Sequence, residues 1–297
     1  MTHRTTYAYD EDVHDSHGVG RLVPRPLPWQ IVAEHRVEVR PRPLALRTGL
    51  DGYGNELTSF QVTDPHRSLV VEATSDVRVE PPVYDAAALA APWEESRPCA
   101  SDAASAWAAT EFALESPQAA HAEEAHDYAA PSLVPGRPVG EAVTDLVHRI
   151  HSDFAYDGAA TTVTSTVEEV LRTRAGVCQD FAHLMLACLR SHGVAARYVS
   201  GYLATEPPPG EERMVGADAS HAWVAVWLPG SDAWLAVDPT NDRWAGDRHV
   251  TVAWGRDYGD VAPVKGVIFT EARRSTLEVS VDVAPLGGVD DGRRMGG

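Results

Sequence analysis

Between Arg174 and Gly193 the chain reads RAGVCQDFAHLMLACLRSHG, a cysteine followed at once by an apolar helical stripe. Phe181, Leu184, Met185, Cys188 and Leu189 recur at i, i+3/i+4 and i+7/i+8, one face of a helix that must be buried against a partner. Just upstream, TVEEVLRTRAG has a Thr166/Glu169 capping box, basic residues in its last turn and Gly176 at a position suited to a left-handed C-terminus. A short helix therefore ends just before Cys178 and a central one begins there. The free N–H groups and dipole of a helix start stabilise a thiolate, the nucleophilic form of cysteine. Position alone leaves Cys178 open to two readings, because free cysteines are also among the most buried residue types.

Two downstream segments bear on the choice. ASHAWVAVWLPG sets His221 at the start of an alternating strand, and AWLAVDPTND ends its strand at Asp238. The short turn between them predicts a hairpin, which brings residues near 221 and near 238 to one end. An odd register sum puts His221, Trp223 and Ala225 on the same face as Trp234, Ala236 and Asp238. A carboxylate against one imidazole nitrogen fixes the tautomer and favours the charged ring, leaving the other nitrogen for a thiolate. Cys178, His221 and Asp238 thus form a candidate thiol triad. Its gaps of 43 and 17 residues do not suit the order of papain itself, where the histidine follows the cysteine by more than about 130 residues.

The rest of the chain frames this core. A length of 297 residues suits two domains, and 44% hydrophobic with 23% charged residues is an ordinary globular composition. A formal net charge of -18 argues against nucleic acid and anionic membrane surfaces as partners. The start, MTHRTTYAYDEDVHD, has no apolar h-region, and no stretch approaches the roughly 20 apolar residues of a membrane span. Three cysteines without a C-x-x-C spacing suit a reducing compartment, so the expected location is cytoplasmic.

HRVEVRP (His35 to Pro41) and RSLVVEATSDVRVEP (Arg67 to Pro81) alternate around the turn cluster DGYGNE, which predicts an N-terminal β-sandwich over 1–82. The Pro/Ala-rich stretch 83–100 reads as a linker, 101–285 as an α+β core of a helix packed on an antiparallel sheet, and 286–297 as a flexible tail. Within the core, SDAASAWAATEFALES, with Ser101 or Asp102 as N-cap, and PVGEAVTDLVHRIHSDF predict helices. AARYVSGYL, HAWVAVWL, AWLAVDP, RHVTVAWG and TLEVSVDV predict strands.

GVCQDFAHLMLACLRSHGVAARYVSGYL, DASHAWVAVWLPGSDAWLAVDPTND and HVTVAWGRDYGDVAPVKG resemble the core of the bacterial transglutaminase-like family. DSHGVGRLVPRPLPWQ and DGYGNELTSF resemble the β-domain that precedes that core. The resemblance implies a papain-like α+β fold, with Cys178 as nucleophile, His221 as general base and acid and Asp238 as orienting carboxylate. It implies attack on an amide carbonyl, a thioester, and resolution by water (a cysteine peptidase or amidase) or by an amine (a γ-glutamyltransferase-like acyltransferase). Hydrolysis of a peptide or protein substrate ranks first; acyl transfer to an amine co-substrate is the alternative, and a non-catalytic binding module of the same fold stands third. The backbone N–H of Cys178 is one oxyanion donor. Where transglutaminases place a tryptophan upstream of the cysteine, SDFAYDG has Phe154 and Tyr156, which leaves Tyr156 and Gln179 as candidates for the second donor.

The remaining candidates have plainer readings. His183 points to another side of its helix, Cys188 fits the buried stripe, and Asp180 complements the helix dipole. Trp223, Trp227, Trp234 and Trp244 either wall a substrate groove or pack the core, with packing expected for at least two. His14 and His17 lack a third ligand at a telling spacing, and no dense oxygen-ligand loop suits calcium, so neither metal nor cofactor is expected.

Overall fold

The computed structural model describes residues 1–162, 165–205 and 220–284; the tail assigned to 286–297 lies outside them. The N-terminal strands are β1 (Thr2–Gly20), β2 (Gln30–Arg40), β3 (Ala45–Leu50), β4 (Glu56–Val62) and β5 (His66–Val79). β1 is long enough to serve two halves of one antiparallel sheet: Thr2 to Ala8 pair with β5, and Ser16 to Gly20 pair with β4. The register breaks between Ala8 and Val13, and such irregularities let a strand turn a corner and fold a sheet over its own core. Tyr9, Val13, Val39, Phe60, Leu69 and Val71 fill that core.

After β5 come α1 (Ala86–Ala90), α2 (Ala106–Ala109), α3 (Glu123–Ala129) and α4 (Val139–Asp153). The stretch 83–100, expected as a linker, is packed structure. Trp93 is buried in the core, its N–H bonds the Arg137 carbonyl, and Val139 N–H bonds that of Ala91. The long helix expected over 101–116 is a single α turn followed by a 3₁₀ turn at Thr110–Ala113, and Ser105, not Ser101 or Asp102, stands at its N-cap position, without a side-chain bond to the turn. Its buried residues, Ala106, Ala109 and Phe112, repeat every three positions, the period of a 3₁₀ helix, while Trp107 is exposed.

The core then runs through β6 (Ala155–Tyr156), α5 (Val167–Thr173), β7 (Ala175–Gly176), α6 (Cys178–Ser191), β8 (Ala196–Leu203), β9 (Ser220–Leu228), β10 (Ala233–Asp238), β11 (Arg243–Trp244), β12 (His249–Gly255) and α7 (Tyr258–Val261). The antiparallel sheet has the order β11-β10-β9-β8-β12. One face packs α6 through Tyr198, Tyr202, Ala222, Val224 and Val226. The other carries Val199, Trp223 and Ala225, so β9 is buried on both sides. At its C-terminal end α6 is tied down by buried Arg190, whose guanidinium donates to the carbonyls of Phe112 (3.0 Å), Ala196 (2.8 Å) and Arg256 (2.6 Å).

The last strands are β13 (Val264–Thr270), which the sequence patterns did not mark, and β14 (Ser275–Asp282), and both fall within the stretch expected as core. They pair instead with β1, whose free edge they cover end to end, Gly20↔Val264 through Thr2↔Asp282. An uncovered edge strand leaves a row of unpaired backbone groups, and the returning chain satisfies them. The two parts of the molecule are therefore interleaved. Buried Gln30 acts as a strand segment between them: its side chain accepts from Thr251 N–H (2.8 Å) and donates to Thr251 O (2.7 Å). Asn55 repeats the arrangement on Trp254, at 2.9 Å for each bond. Replacing Gln30 by Leu strands a buried donor and acceptor, and should cost about 1–3 kcal/mol in urea unfolding; an unchanged midpoint would show that this lock carries no load.

Candidate active site

The site is built around the start of α6. β6 and β7 form a short parallel pair, Ala155 N–H to Arg174 O (2.8 Å) and Asp157 N–H to Gly176 O (2.9 Å), which fixes the chain just before Cys178. The capping box on α5 forms as its sequence predicts, but the left-handed residue after it is Arg174, not Gly176. Gly176 is required for a different reason: a Cβ there would lie 2.9 Å from the Asp180 side chain. That close approach lets Asp180 Oδ2 accept from Val177 N–H (2.8 Å) and from the Thr161 hydroxyl (2.5 Å). Asp180 thus faces back across the helix start and is spent on holding it.

Cys178 is half-buried at the first position of α6. His221, at the start of β9 opposite Gly201 of β8, is buried, and its Nε2 hydrogen-bonds Asp238 Oδ2 at 2.7 Å. Its ring also hydrogen-bonds Cys178, leaving Nδ1 as the nitrogen turned to the thiol. The hairpin register is the one expected, Leu235↔Val226 and Ala236↔Ala225, so period-two alternation carries His221 and Asp238 to one face. Burial works against a charge on His221, yet the hydrogen bonds to Asp238 and Cys178 outweigh it and push the imidazole up to about 10. Asp238 has no exposure, and burial would raise it; hydrogen bonds from His221 and His249 win and hold it well below the usual carboxylate range.

Two further residues belong here that sequence reasoning did not single out. Asn241 Nδ2 donates to Asp238 Oδ2 at 2.7 Å, while the N–H groups of Thr240 (2.9 Å) and Asn241 (3.2 Å) reach Oδ1, an Asx-type turn that DPTND could have signalled. His249, first residue of β12, places Nε2 at 3.1 Å from the same Oδ2. α4 supports that loop from below, with His151 Nδ1 at 2.9 Å from Thr240 O and His148 Nδ1 at 2.9 Å from Asp242. The donor atoms of His221, Asp238 and His249 lie within 4.8 Å of one another. The 2.7 Å separation of His221 and Asp238 is that of an N–H···O bond and is shorter than the about 3.3 Å between ligands at tetrahedral zinc distances, so the group fits protons better than a metal.

Tyr156 projects beside the thiol: it is exposed, packs edge-on against Phe181, and is raised by burial and by the charges of Cys178 and Asp180. Gln179 follows Cys178 in the first turn, half-buried. Trp223, a candidate wall of the substrate groove, is instead packed inside. Only 1% exposed, it packs behind His221 and edge-on against His249 at 5.2 Å between ring centroids, because alternate positions of a doubly covered strand face an interior on either side. Trp227 is also buried, whereas Trp234 is half-buried and Trp244 exposed. His183 accepts from Tyr258 N–H and burial pushes it down to about 4; burial pushes Cys188 up to about 12, which makes it inert. His14 and His17 lie on β1, where His17 pairs with Asp15.

A helix-borne thiol beside an imidazole and a buried carboxylate on adjoining strands, in an α+β core, defines the papain-like, transglutaminase-like class of fold. The chain belongs to the transglutaminase-like superfamily, whose core model matches residues 127–239, with the bacterial transglutaminase-like N-terminal region at residues 1–78. It is 46% identical to the uncharacterized protein Rv2569c of Mycobacterium tuberculosis over 97% of this chain and 93% of that one. A shorter match, 39% identical over 102 residues, is to a protein-glutamine gamma-glutamyltransferase of Pseudomonas aeruginosa, covering 33% of this chain and 15% of that protein. In structure the chain is similar to a Cytophaga hutchinsonii protein proposed to be a cysteine protease, with a TM-score of 0.65 at 17% identity over 96% of this chain and 92% of that one.

Stability is coupled to pH through both His221 and Asp238. His221 is raised from 6.5 to about 10, so its contribution to stability is complete below pH 6.5 and is lost as pH rises through about 10. Asp238 is depressed, so its contribution is present above the ordinary carboxylate pKa and is lost as pH falls below it. In Asp238→Asn the hydrogen-bonded anion is gone and burial dominates, so the His221 imidazole should titrate well below 10 by NMR; a titration that stays near 10 would contradict this electrostatic assignment.

Proposed function

We propose that the protein is a thiol-dependent hydrolase of amide, peptide or isopeptide bonds acting through Cys178, His221 and Asp238. The observation that carries this is the buried imidazole of His221, hydrogen-bonded at once to Asp238 and to the thiol at the start of α6. Cys178 Sγ, its proton on His221, attacks the carbonyl carbon, and the developing oxyanion meets the backbone N–H of Cys178 at the helix start and the Tyr156 hydroxyl. The C–N bond breaks, the imidazolium gives its proton to the leaving amine, and a thioester remains. His221 then takes a proton from water, whose oxygen attacks the thioester, and the acid leaves as the thiol is restored. Asp238 holds the tautomer and the charge of the ring throughout.

The substrate in this reading is a peptide or protein, with no cofactor. Hydrolysis requires no second binding site, and a half-buried thiol beside an exposed Tyr156 is open to water. The similarity to the Pseudomonas protein favours a second reading, in which an amine takes the place of water at the thioester. Three cysteines without a disulfide support the cytoplasm as the working compartment.

Incubation with a peptide library, with and without an added amine, followed by mass spectrometry, separates these readings. An acyl product carrying water's oxygen in place of the leaving amine points to hydrolysis, and one carrying the added amine in that place points to transfer. Cys178→Ala should abolish either product while leaving the melting temperature near that of the wild type, and undiminished turnover would end the proposal. Tyr156→Phe, which removes one oxyanion donor, should lower kcat about 100-fold with little change in KM; an equal kcat would leave Tyr156 outside the reaction.

A further inference from the structure

Asp238 Oδ2 has an attachment that the triad chemistry does not require. His249 enters from β12, the opposite edge of the sheet from β11, and is buried with its Nε2 at 3.1 Å from that oxygen. Its other nitrogen is also engaged: Gly246 N–H donates to Nδ1 at 3.2 Å. A backbone N–H can only donate, so Nδ1 is an acceptor and the ring proton lies on Nε2, directed at the carboxylate. Trp223 packs on the same ring in a T-shaped contact, with 5.2 Å between centroids. Asp238 Oδ2 is thus approached by His221 (2.7 Å), Asn241 (2.7 Å) and His249 (3.1 Å) from three separate chain segments.

We propose that His249 is a positioning residue: a tautomer-locked donor that fixes Asp238 Oδ2 at the point where His221 must meet it. This rests on the triad reading above. β10 and its following turn set the height of the carboxylate, but three donors from that turn pull Oδ1 and Oδ2 toward residues 240 and 241. The bond from His249 opposes that pull from across the sheet, and it keeps the imidazole of His221 aimed at Cys178. Each imidazole has a distinct job on one oxygen, His221 exchanging protons with the thiol and His249 holding the carboxylate still.

Two substitutions in the full chain separate the donor from the ring. His249→Gln places an amide nitrogen where Nε2 lies, whereas His249→Asn places its oxygen where Nδ1 lies, keeping the bond from Gly246 and withdrawing the donor from Asp238. The readout is the rate of Cys178 alkylation by iodoacetamide at neutral pH, resolved from Cys99 by peptide mass spectrometry, which needs no substrate. His249→Asn should react about tenfold more slowly or less, in keeping with the loss of one hydrogen bond to a charged group, and His249→Gln should recover most of the wild-type rate. Equal rates for His249→Asn and wild type, or an equal loss in both variants, would overturn the proposal. Nitrogen-15 spectra of the wild type give a check that needs no variant: the proton belongs on His249 Nε2, and a proton on Nδ1 refutes the lock. A wild-type Cys178 that reacts no faster than exposed Cys99 would instead remove the triad reading on which the inference stands.

Discussion

A carboxylate cut off from water stands at the centre of this protein. Asp238 has no exposure and stays ionised, a state that is several kcal/mol unfavourable unless hydrogen bonds replace the lost water. Replacement comes from two backbone N–H groups, the Asn241 amide and two imidazoles. Each donor makes a demand on the fold. His221 requires the β9–β10 register, the turn donors require the chain to coil directly after β10, and His249 requires β12 to run along the far side of β8. Misplacing any of these leaves a buried charge short of a partner.

The thiol side of the site is organised by a second buried carboxylate. Asp180 turns back on the helix start, tying Val177 and Thr161 together, and Gly176 leaves it the room to do so. Asp180 therefore meets its donors away from the nucleophile, while Asp238 meets the imidazole. The two acids are kept to different tasks by where their donors lie. The N-terminal sheet acts at longer range: through Gln30 and Asn55 it clamps β12, the strand that carries His249.

Local patterns were the legible part. The capping box at Thr166, the apolar stripe of α6 and the alternation of 221–228 with 233–238 each express an energetic preference within a few residues, and each formed as read. The pairing of His221 with Asp238 followed because parity along two adjacent strands is arithmetic once the turn is short. Where reading failed, the cause was a partner far away in the chain. Trp223 looked like a groove residue until a second covered face of β9 claimed it. Residues 83–100 looked like a linker because Pro and Ala carry no periodic signal, although Trp93 and Ala88 are core residues. Asn241 and His249 were passed over because their value depends on one oxygen atom they approach from outside the hairpin.

By itself, then, the sequence determined a helix that starts at Cys178, a hairpin that brings His221 and Asp238 together, and an α+β core behind a β-rich N-terminal part, since each is set by near-neighbour periodicity and capping. Tertiary structure decided that β13 and β14 return across more than 240 residues to close the edge of β1, and that His249 faces Asp238. Those contacts join segments with no local signal in common. They exist because unpaired strand edges and buried charges must find donors and acceptors wherever the folded chain brings them.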